Sequence, residues 1–167
     1  MGRPARGFSL LELAVVAVVL STLSAVLLQR LNYYQEAAER AHFETTLLIY
    51  KTALQIRLAE MILDRRENEA RRLEDENPTL WLSEKPTNYA GDYPQTPIVG
   101  NWYYDKSSLE LVYVANTAYG LEVAERDGVK QLRFRVQVIR QPVSITGGQV
   151  QGIGGIKLIS TTAYHWS

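Results

Sequence analysis

The chain of 167 residues contains no cysteine, so neither a disulfide framework nor a thiolate metal site can hold the fold or carry chemistry. It also lacks an excess of charge of either sign: 18 basic and 18 acidic side chains sum to zero, which removes the electrostatic case for nucleic-acid binding. Histidine is scarce. His42 and His165 are the two present, and with no thiol and no Gly-x-Ser-x-Gly turn, nothing nominates a nucleophile and its base. Both histidines read as surface or packing residues. No His-Glu-x-x-His spacing occurs, and Asp92 and Asp105 stand too isolated to argue a calcium loop. Proline and glycine are missing from Phe8 to Glu76, a stretch without helix breakers that predicts one long, little-interrupted helix.

What is present begins with an apolar run. Phe8 to Leu28 comprises 21 residues, which as a helix span roughly 32 Å, close to the hydrocarbon thickness of a bilayer. One carboxylate, Glu12, lies inside it. An ionised acid at the centre of such a helix costs about 3 kcal/mol on insertion scales, so it calls for a cation or a function. Upstream, Met1-Gly2-Arg3-Pro4-Ala5-Arg6-Gly7 carries two arginines and no acid, the composition of a cytoplasmic flank, with the bulk of the chain on the far side. A secretory signal peptide cut near Ser21, Ser24 or Ala25 is the competing reading. An ordinary single-span anchor is another. Neither accounts for Gly7-Phe8 followed by Glu12, nor does signal cleavage account for apolar residues continuing past Ala25.

This leader, the Gly7-Phe8 junction, the acid at Glu12 and the apolar run resemble the prepilin signal of the type IV pilin-like superfamily, which includes major and minor pilins and the pseudopilins of type II secretion. The resemblance implies that an inner-membrane prepilin peptidase cuts between Gly7 and Phe8 and methylates the new amine of Phe8. It also implies assembly with other pilin or pseudopilin subunits on an inner-membrane platform driven by an ATPase, with no cofactor and no catalytic role for the chain. The subunit would be a single-pass protein of the bacterial inner membrane, its N-terminus cytoplasmic and its globular domain periplasmic, later part of a filament. Physical chemistry supplies a reason for the motif. A free α-amino group on Phe8 is largely cationic at neutral pH, and Glu12 is its counter-ion, one helical turn away in the same chain or in a neighbouring subunit. In the intersubunit form, as the resemblance implies, the pair sets the axial register of a filament. Many pilins close a C-terminal loop with a disulfide, and many major subunits carry a proline in the membrane half of the helix. This chain has neither, which leans toward a minor subunit.

Beyond the apolar run, Phe43, Leu47, Tyr50, Leu54, Leu58 and Met61 recur at helical spacing and mark one apolar face. Asp64 to Glu76 carries four arginines and six acids and reads as the solvated end of the same helix, with pairs such as Glu67 and Arg71 one turn apart. Three prolines, Pro86, Pro94 and Pro97, interrupt the next stretch, an irregular connector whose Trp81, together with Trp102 and Tyr104, could line a groove. The period then becomes two. Asn101–Asp105 and Leu109–Val114 form a hairpin around Lys106-Ser107-Ser108; Tyr119–Glu125 forms another with Lys130–Arg140 around Arg126-Asp127-Gly128. Leu132, Phe134, Val136 and Val138 alternate with Arg133, Arg135 and Gln137, predicting one buried and one wet face. The Trp102–Asp105 and Val112–Val114 hairpin is similar to one in type II secretion and mannose-sensitive-haemagglutinin-like pilin subunits. Gly147, Gly148, Gly152, Gly154 and Gly155 lack the lysine of a phosphate loop and predict turns between strands.

The expected class is therefore α+β: a long N-terminal helix packed on a small antiparallel sheet. Its predicted segments are a leader at 1–7, a transmembrane and polymerisation helix at 8–29, an amphipathic continuation at 30–76, a connector at 77–100 and the sheet at 101–167. The alternative function is a single-span membrane protein whose exterior domain binds a ligand or senses a signal.

Overall fold

The computed structural model describes residues 9–117, 119–145 and 148–166. Contacts divide the chain into two units, Met1–Ala38 and Glu39–Ser167. Helix α1, Leu10–Leu63, is the long element expected from the missing breakers.

In the first unit every described residue through Gln35 is exposed, including Leu10, Leu20, Leu23 and Leu27. The polar side chains of this stretch serve their own helix: the Ser21 and Thr22 hydroxyls donate to the carbonyls of Ala17 and Val18 at 2.7 and 2.9 Å. This leaves fewer unpaired donors for an apolar surrounding to accept.

In the second unit, Phe43, Leu47, Tyr50, Leu54, Leu58 and Met61 are all buried, joined by Thr46. The stripe read from the spacing is thus the packed face of the helix. It meets one face of a sheet in which β1 (Tyr89–Asp92), β2 (Trp102–Asp105), β3 (Glu110–Val114) and β6 (Val129–Ile145) lie side by side. Strand β7 (Gly148–Ser160) pairs with β6. Alternation sends Trp102, Leu111, Tyr113, Leu132, Phe134 and Val136 into the core with the helix. Phe43 is its centre, stacked on Trp102 at 5.5 Å and tilted against Tyr113 at 5.1 Å and Trp166 at 5.4 Å. Each such ring removes enough apolar surface from water to contribute roughly 1.5–3 kcal/mol. The α+β class stands, with β1 parallel to β2 and the other neighbours antiparallel.

Three expectations need correction. First, α1 ends at Leu63, not Glu76. Arg65 takes a left-handed φ of 58°, Arg66 N–H returns to the Met61 carbonyl at 2.7 Å, and Arg65 N–H returns to Ile62 at 3.0 Å. These are the two closing bonds of a Schellman cap, usually built on glycine. With arginine in that place the stop left no mark in the sequence. The following Glu67–Glu74 is a 3₁₀ segment that buries Ala70 and Leu73, so the charged stretch is anchored to the domain and not a free helix end.

Second, the Tyr119–Glu125 pairing is mostly redirected. Only β5 (Glu125–Arg126) turns back onto Val129–Lys130. Strand β4 (Leu121–Val123) pairs instead with the distant β8 (Tyr164–Trp166), because that register buries both Leu121 and Trp166 in the core. Third, Gly148, Gly152, Gly154 and Gly155 lie within β7 and not in loops between strands; Gly147 lies outside the described residues. In the predicted connector, Asn77 caps a second 3₁₀ segment, Pro78–Trp81, by accepting from Thr79 N–H at 3.0 Å.

Candidate functional site

Gly7 and Phe8 lie outside the described residues. The chain is described from Ser9, whose carbonyl accepts from Leu13 N–H at 3.0 Å and whose hydroxyl oxygen accepts from Leu11 N–H at 3.3 Å. Serine is a favoured helix cap because it satisfies a donor that the first turn leaves open. Helix α1 therefore begins at Leu10, with Ser9 as its cap. Glu12 falls in its first turn, where a carboxylate is favoured by the helix dipole. It is exposed and joins none of the ion pairs among the described residues. The apolar segment around it belongs to a helix long and apolar enough to cross a membrane. What this segment offers chemically is one anionic group on an apolar rod, next to the point where cleavage would create one cationic group.

Among its described residues the second unit contains no comparable reactive site. Trp102 and Tyr104 are buried, although Tyr104 still lines a groove with Tyr93 and Asp105; the three aromatics do not share one, since Trp81 borders a separate groove with Leu48, Ile49 and Ile56 of α1. Its indole N–H donates to Glu76 at 2.8 Å. His42 and His165 are exposed. Asp92 pairs with Lys106 at 2.7 Å, Asp105 is bound to Arg133 at 2.9 Å, and no cluster of metal-binding side chains exists among the described residues.

Sequence reading missed two polar centres of this unit. Arg133, assigned to the wet face, is only 2% exposed. Its Nη1 donates to Asp105 and Glu110, both at 2.9 Å, and its Nε to Gln131 at 2.9 Å. Tyr93 lies over the guanidinium at 5.0 Å, and Arg135 reaches Glu110 at 3.2 Å. Burial pushes the Asp105 and Glu110 carboxyls up, but the donors around them outweigh it. For Asp105 these are Ser107, Arg133 and Ser108; for Glu110, Arg133 is foremost. Both are held below the usual carboxylate range. Alternation alone could not reveal that the chain around Tyr93 covers this second face. The other centre is Glu39. One carboxylate oxygen accepts from the Tyr113 hydroxyl and Asn116 N–H, each at 2.7 Å, and the other from Thr117 N–H at 2.6 Å and the Thr117 hydroxyl. The hydroxyl–carboxylate contact pushes the Tyr113 phenol well above its ordinary value, after burial as the first cause. These centres tie strands and loops together, and neither opens a reaction site.

Residues 2–28 match the family model of the prokaryotic N-terminal methylation motif. That motif is the class III prepilin signal, here at the head of a long apolar helix. No curated protein and no solved structure matches the chain.

Proposed function

We propose that this protein is a minor pilin or pseudopilin, a structural subunit of an inner-membrane filament machine of the type II secretion or type IV pilus kind. The observation that carries the proposal is the methylation motif over residues 2–28. It coincides with the Gly7-Phe8 junction and with the start of helix α1, whose first turn carries Glu12. The absence of proline from Phe8 to Glu76 and of cysteine throughout supports a minor subunit. Trp102 is fully buried and Trp81 and Tyr104 border separate grooves, so the three aromatics do not form the shared groove on which a ligand-binding exterior domain would have rested.

In this reading the precursor sits in the bacterial inner membrane with Arg3 and Arg6 on the cytoplasmic side. A prepilin peptidase cuts the bond between Gly7 and Phe8 and methylates the Phe8 amine, which remains a cation. Other subunits then take the place of lipid around the exposed apolar residues of Leu10–Leu28. Glu12 accepts the Phe8 ammonium of a neighbour, and pairing offsets the several kcal/mol that an isolated buried charge costs. Register is thereby fixed by charge, while apolar packing alone would let the helices slide. The assembly platform and its ATPase supply the work.

Mass spectrometry of the N-terminal peptide from cells containing a prepilin peptidase tests the processing step. The expected product begins at Phe8 with one added methyl group, and Gly7→Arg leaves the precursor intact. A chain cut near Ala25, or never cut, overturns the proposal. Glu12→Ala is expected to keep membrane insertion, easing it by up to about 3 kcal/mol, and to lose crosslinking to other subunits. Unchanged assembly would remove the pairing role, except for a subunit at the filament tip with no neighbour above it.

A further inference from the structure

Two loops leave the second unit side by side where β2 begins and β3 ends. Gly100 N–H donates to the Val114 carbonyl at 2.6 Å, and Val114 N–H to the Asn101 carbonyl at 3.0 Å; a Cβ on Gly100 would stand 3.6 Å from the Asn116 side chain. The sequence is uncharged through both, from 93 to 101 and from 111 to 121. Large apolar side chains are exposed there: Ile98 at 67%, Val99 at 42% and Tyr119 at 84%.

The backbone beneath these side chains is satisfied from within. Ile98 N–H donates to the Tyr103 hydroxyl at 2.9 Å, which donates back to the Ile98 carbonyl at 3.3 Å, and the Gly100 carbonyl accepts from Asn88 Nδ2 at 2.8 Å. The Asn116 and Thr117 N–H groups donate to Glu39. Replacing water by a less polar surrounding costs such loops little, because these main-chain groups already have partners. The charged turn that follows in sequence, at Arg126 and Asp127, lines the Tyr93 groove instead.

Glu39 ties these loops to the apolar run by a short length of chain. It follows Leu31 by eight residues of α1, about 12 Å of helix, and a helical side chain leans toward the N-terminus of its own helix. Tyr119 is two residues past Thr117, a further reach of about 7 Å at most. Headgroups extend roughly 5–8 Å beyond the hydrocarbon core, so a bilayer crossed by α1 lies within this reach, and the tether selects lipid as the surface these side chains meet. Tyrosine is enriched at headgroup level, and Tyr33 and Tyr34, both exposed, follow the run directly. We propose that Ile98, Val99 and Tyr119 rest in the headgroup layer and hold the second unit against the membrane surface. The proposal rests on the membrane-spanning reading of the apolar run but not on processing at Gly7.

The absence of cysteine makes a direct test available. Ile98→Cys and Tyr119→Cys would each be made in the full-length precursor, labelled with a nitrobenzoxadiazole fluorophore and reconstituted in vesicles of phosphatidylcholine and phosphatidylglycerol. Ser107→Cys, exposed in the β2–β3 turn, is the control, and Leu20→Cys reports insertion of the apolar run. Lipid carrying a nitroxide on its headgroup is expected to quench the label at both loop positions about threefold more than at Ser107→Cys, with emission moved to shorter wavelength as in a less polar surrounding. Quenching at either position no greater than the control, or without that spectral shift, overturns the proposal alone when a nitroxide on the lipid chain quenches Leu20→Cys. An unquenched Leu20→Cys overturns the membrane reading and the proposal with it. Protection from aqueous iodide without quenching by lipid also overturns the proposal, since protein would then cover the patch. So does loss of the fold in both variants, since the two side chains would then belong to the core.

Discussion

The two units of this chain use one helix type in opposite ways. From Leu10 to Gln35 every residue is exposed, and the apolar side chains occur all round without a period. In the second unit the buried residues of α1 return every three or four positions and exclude water on one side. A helix that is apolar all round is made for an apolar surrounding; a helix apolar on one stripe is made for a partner surface. The first therefore rests on composition and tolerates exchange among apolar residues. The second rests on position, and a single change can break it.

The largest effect expected from that difference is at Leu54, 1% exposed in the core. Leu54→Asp should unfold the second unit, because an unpaired charge replaces a buried apolar side chain at a cost of several kcal/mol. Leu20→Val, an exchange within the apolar run, should leave melting unchanged. Circular dichroism melting of the full chain in detergent checks both. A Leu54→Asp protein that melts like the parent would erase the distinction between the two halves of α1.

Next in size is the buried charge cluster of the second unit. Arg133→Ala strands Asp105 and Glu110 without their main cation and should cost about 3–5 kcal/mol, read by chemical denaturation. Because both carboxyls are held below their ordinary range, the stability they contribute is complete above about pH 4–5, where the unfolded acids are ionised. It is lost as pH falls through their lowered values. Melting measured from pH 6 down to pH 2 should fall, and Asp105→Asn should flatten part of that fall. An acid profile identical in the variant would show that the cluster contributes nothing through this titration. The smallest effect concerns the helix stop: Arg65→Gly relieves a left-handed conformation and should stabilise by up to about 1 kcal/mol. A destabilised variant would mean that the Arg65 side chain holds the cap in a way its backbone does not show.

These contrasts also explain what could be read beforehand. The stripe from Phe43 to Met61 was legible because a helix repeats every 3.6 residues and the buried positions obey that period. The β2–β3 hairpin was legible because its strands are separated by a short polar turn and pair with observed register Trp102↔Tyr113 through Asp105↔Glu110. Strand β4 was not, since its partner β8 begins about forty residues later and no local signal selects among strands so distant. The end of α1 was hidden because arginine occupies a position where glycine would have announced the cap.

By itself, the sequence determined the membrane-capable segment, the Gly7-Phe8 and Glu12 spacing and the α+β class, all of which follow from composition or from periods shorter than a dozen residues. Tertiary structure decided that Arg133 is buried rather than wet, that Glu39 binds the Asn116 and Thr117 amides, that β4 joins β8 and that the glycines of β7 lie within a strand. In each case the deciding contact links residues far apart in the chain. Whether a polar group faces water or a partner then depends on what else the folded chain lays over it.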